Sequence, residues 1–292
     1  MGKNVAPPVK ATILLFFLLT IFSLTALDSG DRLKGFDLEN PATVMMLKLT
    51  QAVSALIIFI IPAIVFVLFT SEKKLGYLKL NGFNFILGVA ALVLVFAAMP
   101  VINWMGELNN HLSLPEFLSG VENWMKTKEE NLKKLTKIFL EMNSVGDLII
   151  NLIIVALLAA VGEELLFRGA LQNTLAEWFK NTHLSVWVTA ILFSALHAQF
   201  YGFIPRMLLG VVLGYLYVWS GSLWLPILFH FLNNGLAVLF SYLIGKGIIS
   251  DAAETVGAGD TPIMFVIASA MVSVGLMYFI YIKHPTPSEL LS

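Results

Sequence analysis

The fold turns on residues 148–169, LIINLIIVALLAAVGEELLFRG. From Leu148 to Val161 the stretch is hydrocarbon apart from Asn151, which is the signature of a helix running through a bilayer. The following positions then bring Glu163, Glu164 and Arg168 into the same apolar segment. A charged side chain inside a spanning helix costs at least ~2.5 kcal/mol on insertion scales, so these residues need a reason. Glu164 and Arg168 are four apart, share a helix face and can pair. Glu163 points about 100° away and has no local partner. A lone carboxylate in a low-dielectric site has a readily moved proton, which suits a general base. The plainer alternative is an interfacial ion cluster that ends the helix.

The rest of the chain agrees with the membrane reading. Of its 292 residues 58% are hydrophobic and only 13% charged, where a soluble chain carries about a quarter charged residues. Mean hydropathy is +0.84. Apolar runs predict eight transmembrane helices near 11–27, 47–70, 84–104, 146–178, 184–200, 203–219, 222–244 and 262–282, an all-α polytopic membrane protein. A single membrane domain over 1–292 is expected, with a three-helix part over 1–145, a core over 146–245 and a last loop and helix over 246–292. The first run follows Lys3 and Lys10. It is longer than the roughly 7–15 residues of a signal-peptide apolar region and no clear cleavage site follows it, so it reads as a retained helix. A net charge of −1 gives no electrostatic case for nucleic acid as a partner. The absence of cysteine removes thiolate nucleophiles and thiolate metal sites.

The short segment Ser71 to Asn81 carries Lys73, Lys74 and Lys79 and is cytoplasmic under the positive-inside rule, which with eight helices puts both termini inside. The segment Gly106 to Asn143 runs against that rule, with five lysines on the opposite side. Within it Trp124, Leu132, Leu135, Phe139 and Met142 recur at three- to four-residue spacing, predicting an amphipathic interfacial helix near 121–142.

Two more groups are out of place in hydrocarbon. His197 closes Phe193-Ser194-Ala195-Leu196-His197, and His230 and Asn234 lie four apart on one face of 222–244, with Asn233 expected to point elsewhere. Taken singly, each reads as well as packing glue between helices. Depth distinguishes them. At 1.5 Å per residue, Glu163 and His197 both lie roughly 25 Å from the turn near Asn181, and His197 and His230 lie roughly 8 and 12 Å below the turn near Gly202. A polar chamber among these helices follows. One carboxylate, two imidazoles and a carboxamide suit amide hydrolysis: Glu163 and His197 to deprotonate a water, His230 and Asn234 to hold the oxyanion. The same Glu163, His197 and His230 could instead hold one zinc ion, although the helix H-E-x-x-H is absent.

Glu163-Glu164-x-x-x-Arg168, Phe193-x-x-x-His197 and His230-x-x-x-Asn234, in that order on the fourth, fifth and seventh expected helices, resemble the three motifs of the CaaX-protease and bacteriocin-processing (Abi) family, which includes the type II prenyl-protein endopeptidases. The resemblance covers about 146–245. It implies an eight-helix fold whose conical cavity opens toward membrane and cytosol, with Glu163 and His197 activating water, His230 and Asn234 forming the oxyanion site, and Glu164, Arg168 and Phe193 supporting them. It leaves the metal open, as none or one divalent ion. It implies a membrane-associated peptide or protein substrate and, for a bacterial chain, the inner membrane as location. A non-enzymatic scaffold or bacteriocin self-immunity protein of the same fold is the alternative, and a proton-coupled transporter, whose paired broken helices are not seen, comes last. Gly210 and Gly214 are read as close-packing positions, Asn151 as helix glue, Arg206 as snorkelling to the interface in preference to lining the cavity mouth, and His111 and His284 as solvated.

Overall fold

The structure, a computed structural model, describes residues 5–26 and 36–283; Lys3, Leu27 and His284 lie outside them. The described residues form an all-helical bundle. Its helices are α1 (Pro7–Ala26), α2 (Pro41–Thr70), α3 (Phe85–Asn110), α4 (Ser119–Leu140), α5 (Val145–Phe179), α6 (Thr182–Leu196), α7 (Phe203–Ser220), α8 (Trp224–Gly245) and α9 (Ile263–Ile282). Six are long and apolar enough to cross a membrane: α2, α3, α5, α7 together with the short turn Phe200–Gly202, α8 and α9. The remaining two expected spans are apolar but shorter, Pro7–Ser23 and Thr182–Leu196. The chain is a polytopic helical membrane protein, and its outer surface shows why: Phe69 is 74% exposed and Phe85 82% exposed, side chains that a water-soluble fold would cover.

Local chemistry sets the helix ends. The side chains of Asn40, Asn84 and Asn181 accept from Ala42 N, Ile86 N and Leu184 N and so start α2, α3 and α6. Ser144 and Asp147 form a reciprocal capping box at the start of α5. Gly221, at φ +65°, ends α7. Pro62 has no N–H to give, and α2 passes through a π-helical turn, Leu56–Ile60, that ends two residues ahead of it.

Between helices, shape does the work that water-driven burial does elsewhere. Gly210 and Gly214 let α7 lie against α6: a Cβ at Gly210 would meet Ala190 Cα at 3.1 Å, and one at Gly214 would meet Val186 Cγ1 at 2.8 Å. α9 packs along α3, and α8 along α5. The amphipathic α4 has the expected place and character. Its last carbonyls are taken up by the neighbouring helices, with Asn151 Nδ2 donating to Phe139 O at 2.7 Å and Ser241 Oγ to Leu140 O at 3.2 Å.

These bonds also sort the loops into two ends of the bundle. At one end the 71–84 segment meets the α7–α8 turn, where Leu223 N donates to Lys79 O at 2.9 Å and Trp224 Nε1 to Leu80 O at 3.2 Å. At the other end Asn109 Nδ2 donates to Phe200 O at 2.8 Å and Lys246 Nζ to Asn143 O at 2.7 Å.

Candidate active site

Glu163 lies midway along α5 between two π-helical stretches, Leu152–Leu158 and Leu165–Gln172. Each wide turn changes the helix face that follows, and such turns are frequent at functional sites. Gly162 brings α5 onto α2, since a Cβ there would meet Phe59 Cβ at 3.0 Å. The Glu163 side chain is 14% exposed, and its Oε2 has no hydrogen-bond partner. Its neighbour Glu164 is fully buried and turns away, where Arg168 Nη1 donates to Glu164 Oε1 at 2.7 Å. Arg168 is also fully buried. Its Nη2 donates to Gly210 O at 3.0 Å and its guanidinium lies 4.7 Å from the centre of the Phe193 ring.

His197 is the C-cap of α6, one residue past its end, and the chain then turns through Ala198 at φ +51°. A non-glycine residue in this region carries roughly 1–2 kcal/mol of strain. Nδ1 of His197 lies 2.8 Å from Phe193 O. A carbonyl can only accept, so Nδ1 carries the hydrogen and Nε2 of the neutral ring is an acceptor. The Phe193 ring stands edge-on to His197 at 5.0 Å and to His230 at 6.1 Å, separating and orienting the two imidazoles.

His230, 3% exposed, places Nδ1 2.8 Å from Glu164 Oε1 and Nε2 3.9 Å from Glu163 Oε2. The oxygen that receives Arg168 thus also fixes His230, an arrangement in which a carboxylate sets the tautomer and aim of an imidazole. One turn further along α8, Asn233 Nδ2 donates to Asn234 Oδ1 at 3.3 Å, leaving the Asn234 amide hydrogens for a ligand.

Glu163, Phe193, His197, His230 and Asn234 line one cavity of about 320 Å³. Glu164 and Arg168 stand behind it. Two other residues enter the cavity against expectation. Asn233 also lines it, because the cavity is wide enough to take more than one face of α8. Arg206 does not snorkel: it turns inward, donates from Nη2 to Gln199 Oε1 at 2.6 Å and leaves Nη1 without a partner. Gly202 permits this, since a Cβ there would come 3.0 Å from Arg206 Nη2. The sequence signal was available in Gly202 and Arg206, spaced one turn apart, but nothing in a lone arginine near a helix start reports which way its long side chain folds.

Glu163, His197 and His230 do not stand as a metal cage. Among the described residues no three His, Asp or Glu side chains are grouped closely enough to hold an ion. The zinc alternative lacks its ligand set in this arrangement, and the chemistry proposed below runs through side chains alone.

Beyond the cavity a polar vestibule of about 470 Å³ opens past Gly202 and Pro205, lined by Glu107, Glu129 and Lys133 among others. The mouth therefore lies at the end of the bundle opposite the basic 71–84 segment. A cytoplasmic 71–81 loop and a cavity open to the cytosol cannot both hold.

Glu163, His197, His230 and Asn234 thus gather around one cavity of a helical membrane protein. Residues 145–236, which carry every one of these groups, match the family model described as type II CAAX prenyl endopeptidase Rce1-like. The uncharacterized protein YpbD of Bacillus subtilis (strain 168) is 35% identical over 86 residues, 28% of this chain and 41% of that protein. An uncharacterized 24.3 kDa protein of Escherichia coli is 33% identical over 110 residues, 36% of this chain and 50% of that protein. The chain spans half or less of the length of these curated relatives. No solved structure matches it.

Proposed function

We propose that the chain is an intramembrane endopeptidase that hydrolyses a peptide bond in a membrane-associated peptide or protein tail. One observation carries this reading: Glu163, whose buried Oε2 has no hydrogen-bond partner, lines one cavity together with His197, among helices long and apolar enough to span a membrane. The family match over 145–236 supports the same class of reaction.

A water between Glu163 and His197 Nε2 gives its proton to Glu163 as its oxygen adds to the scissile carbonyl carbon. The new oxyanion takes hydrogen bonds from Asn234 Nδ2 and from Nε2 of His230 in its imidazolium form. One such donor is worth roughly 3–4 kcal/mol in the transition state. Glu164 holds the Nδ1 side of that imidazolium, and Arg168 holds Glu164. The proton on Glu163 then passes to the leaving nitrogen as the C–N bond breaks, giving a carboxylic acid and an amine.

The test compares protein termini in host membranes that express the native chain or Glu163→Gln at equal levels. New termini that depend on Glu163 are expected. Identical termini, with both proteins folded, would remove the protease reading.

A further inference from the structure

The cavity has a side chamber that the hydrolysis above does not use. It has a volume of about 220 Å³ and shares Ile102 and Asn233 as walls with the cavity. Val95 and Met99 of α3 and Leu236, Ala237 and Phe240 of α8 line its length. At ~30 Å³ per liquid water this is room for roughly seven waters, enough for one long side chain and too little for a folded segment.

Its remaining wall differs in chemistry. Glu254, from the loop before α9, lines the chamber beside Asn103. The loop is held in place by α3, because Asn103 Nδ2 donates to Glu254 O at 2.9 Å and to Val256 O at 3.0 Å. Gly257, at φ +105°, lies against the Pro100 backbone where a side chain has no room. The Glu254 carboxylate makes no hydrogen bond or ion pair among the described residues. Partial burial, and after it the charge of another acid, Asp251, raise its pKa above the ordinary carboxylate value. A cation brought to this carboxylate relieves both effects.

An aliphatic channel with an anion on its wall is the complement of lysine or arginine, whose methylene stems take apolar contacts while the head takes charge. We propose that the chamber is a specificity pocket for a basic side chain next to the scissile bond, its stem between Met99 and Phe240 and its head at Glu254. The proposal rests on the protease reading and deepens it, naming the substrate as a membrane-associated peptide with Lys or Arg adjoining the bond that is cut. Ile102 and Asn233 line both chambers, and Glu163 and Asn234 line the cavity beside them, where the backbone of a residue seated in the pocket would lie.

Two measurements on the purified full chain in nanodiscs test this. The first digests a synthetic pool of membrane-partitioning peptides, varied around a central position, and reads the cuts by mass spectrometry. The native chain is expected to cut beside Lys or Arg about tenfold more often than beside norleucine, the ratio expected of a hydrogen bond to a charged group. Glu254→Gln is expected to lose that ratio and Glu254→Lys to turn it toward Asp and Glu. The second measures binding of two matched peptides, with Lys or norleucine at the central position, to Glu163→Gln and to the double variant Glu163→Gln/Glu254→Gln. Cutting by the native chain that ignores the central residue, equal binding of the two peptides to Glu163→Gln, or a preference that survives Glu254→Gln, overturns the pocket. Selective binding of the Lys peptide, abolished by Glu254→Gln, in a chain that cuts nothing supports the pocket and overturns the protease reading instead.

Discussion

Glu164 Oε1 lies 2.8 Å from His230 Nδ1 and is the same oxygen that Arg168 Nη1 reaches at 2.7 Å, so a single buried atom ties α5 to α8. Glu163, one residue earlier, has an oxygen that nothing holds. Two adjacent carboxylates thus do different jobs, and each job gives a separable prediction.

Glu164→Ala leaves the fully buried Arg168 without its anion. Removing one partner of a buried pair costs about 3–5 kcal/mol, so the variant is expected to melt far below the native chain in detergent. Glu163→Gln removes no hydrogen bond from Oε2 and is expected to keep the native melting point or exceed it, as replacing an unpartnered buried carboxyl group often does. Equal melting losses for the two variants would contradict the division of labour.

Asn234→Ala takes away the proposed oxyanion donor and leaves Glu163 and His197 in place. A fall in kcat of about 10²–10³ with little change in KM is expected once a cleaved peptide is in hand. A loss confined to KM would make Asn234 a binding group.

Gly214→Ala is expected to destabilise the bundle by about 1–3 kcal/mol, because its Cβ would meet Val186 Cγ1 at 2.8 Å and Gln172 Oε1 at 2.9 Å. Gly275→Ala in α9 faces open space and is expected to be neutral or to stabilise by about 0.5–1 kcal/mol. Unfolding of the two single variants in detergent decides whether the α6–α7 contact is as tight as it stands.

The chain has no cysteine, so single cysteines report topology cleanly. Lys74→Cys and Thr255→Cys sit at opposite ends of the bundle and are expected to react with an impermeant thiol reagent from opposite faces of sealed vesicles. If Lys74→Cys labels from the cytoplasmic face, the vestibule opens away from the cytosol. Labelling of both from one face would overturn the count of spans between them.

The helices were readable because hydrocarbon length is a one-dimensional property, and Leu148 to Val161 declares it without any tertiary information. The meeting of Glu163, His197 and His230 was readable because antiparallel helices convert residue number into depth. What sequence could not supply was azimuth and reach. The inward turn of Arg206 depends on a missing Cβ at Gly202, and the second cavity-facing position on α8, Asn233, depends on cavity width. Glu254 was invisible for a different reason. It arrives from a polar loop through bonds to Asn103, about 150 residues away, and no local pattern encodes a contact of that separation.

The π-helical stretch Leu165–Gln172 has a consequence for the chain's relatives. A π turn is an ordinary helix with one residue looped in, so everything after it faces about 100° from where counting in fours would put it. A relative one residue shorter in this stretch, with the looped-in residue gone and the turn closed to an ordinary helix, would aim its counterparts of Gln172 and Asn173 at the same neighbours. In this part of α5 a one-residue gap in an alignment marks the looped-in residue, and the facing of everything beyond it is kept.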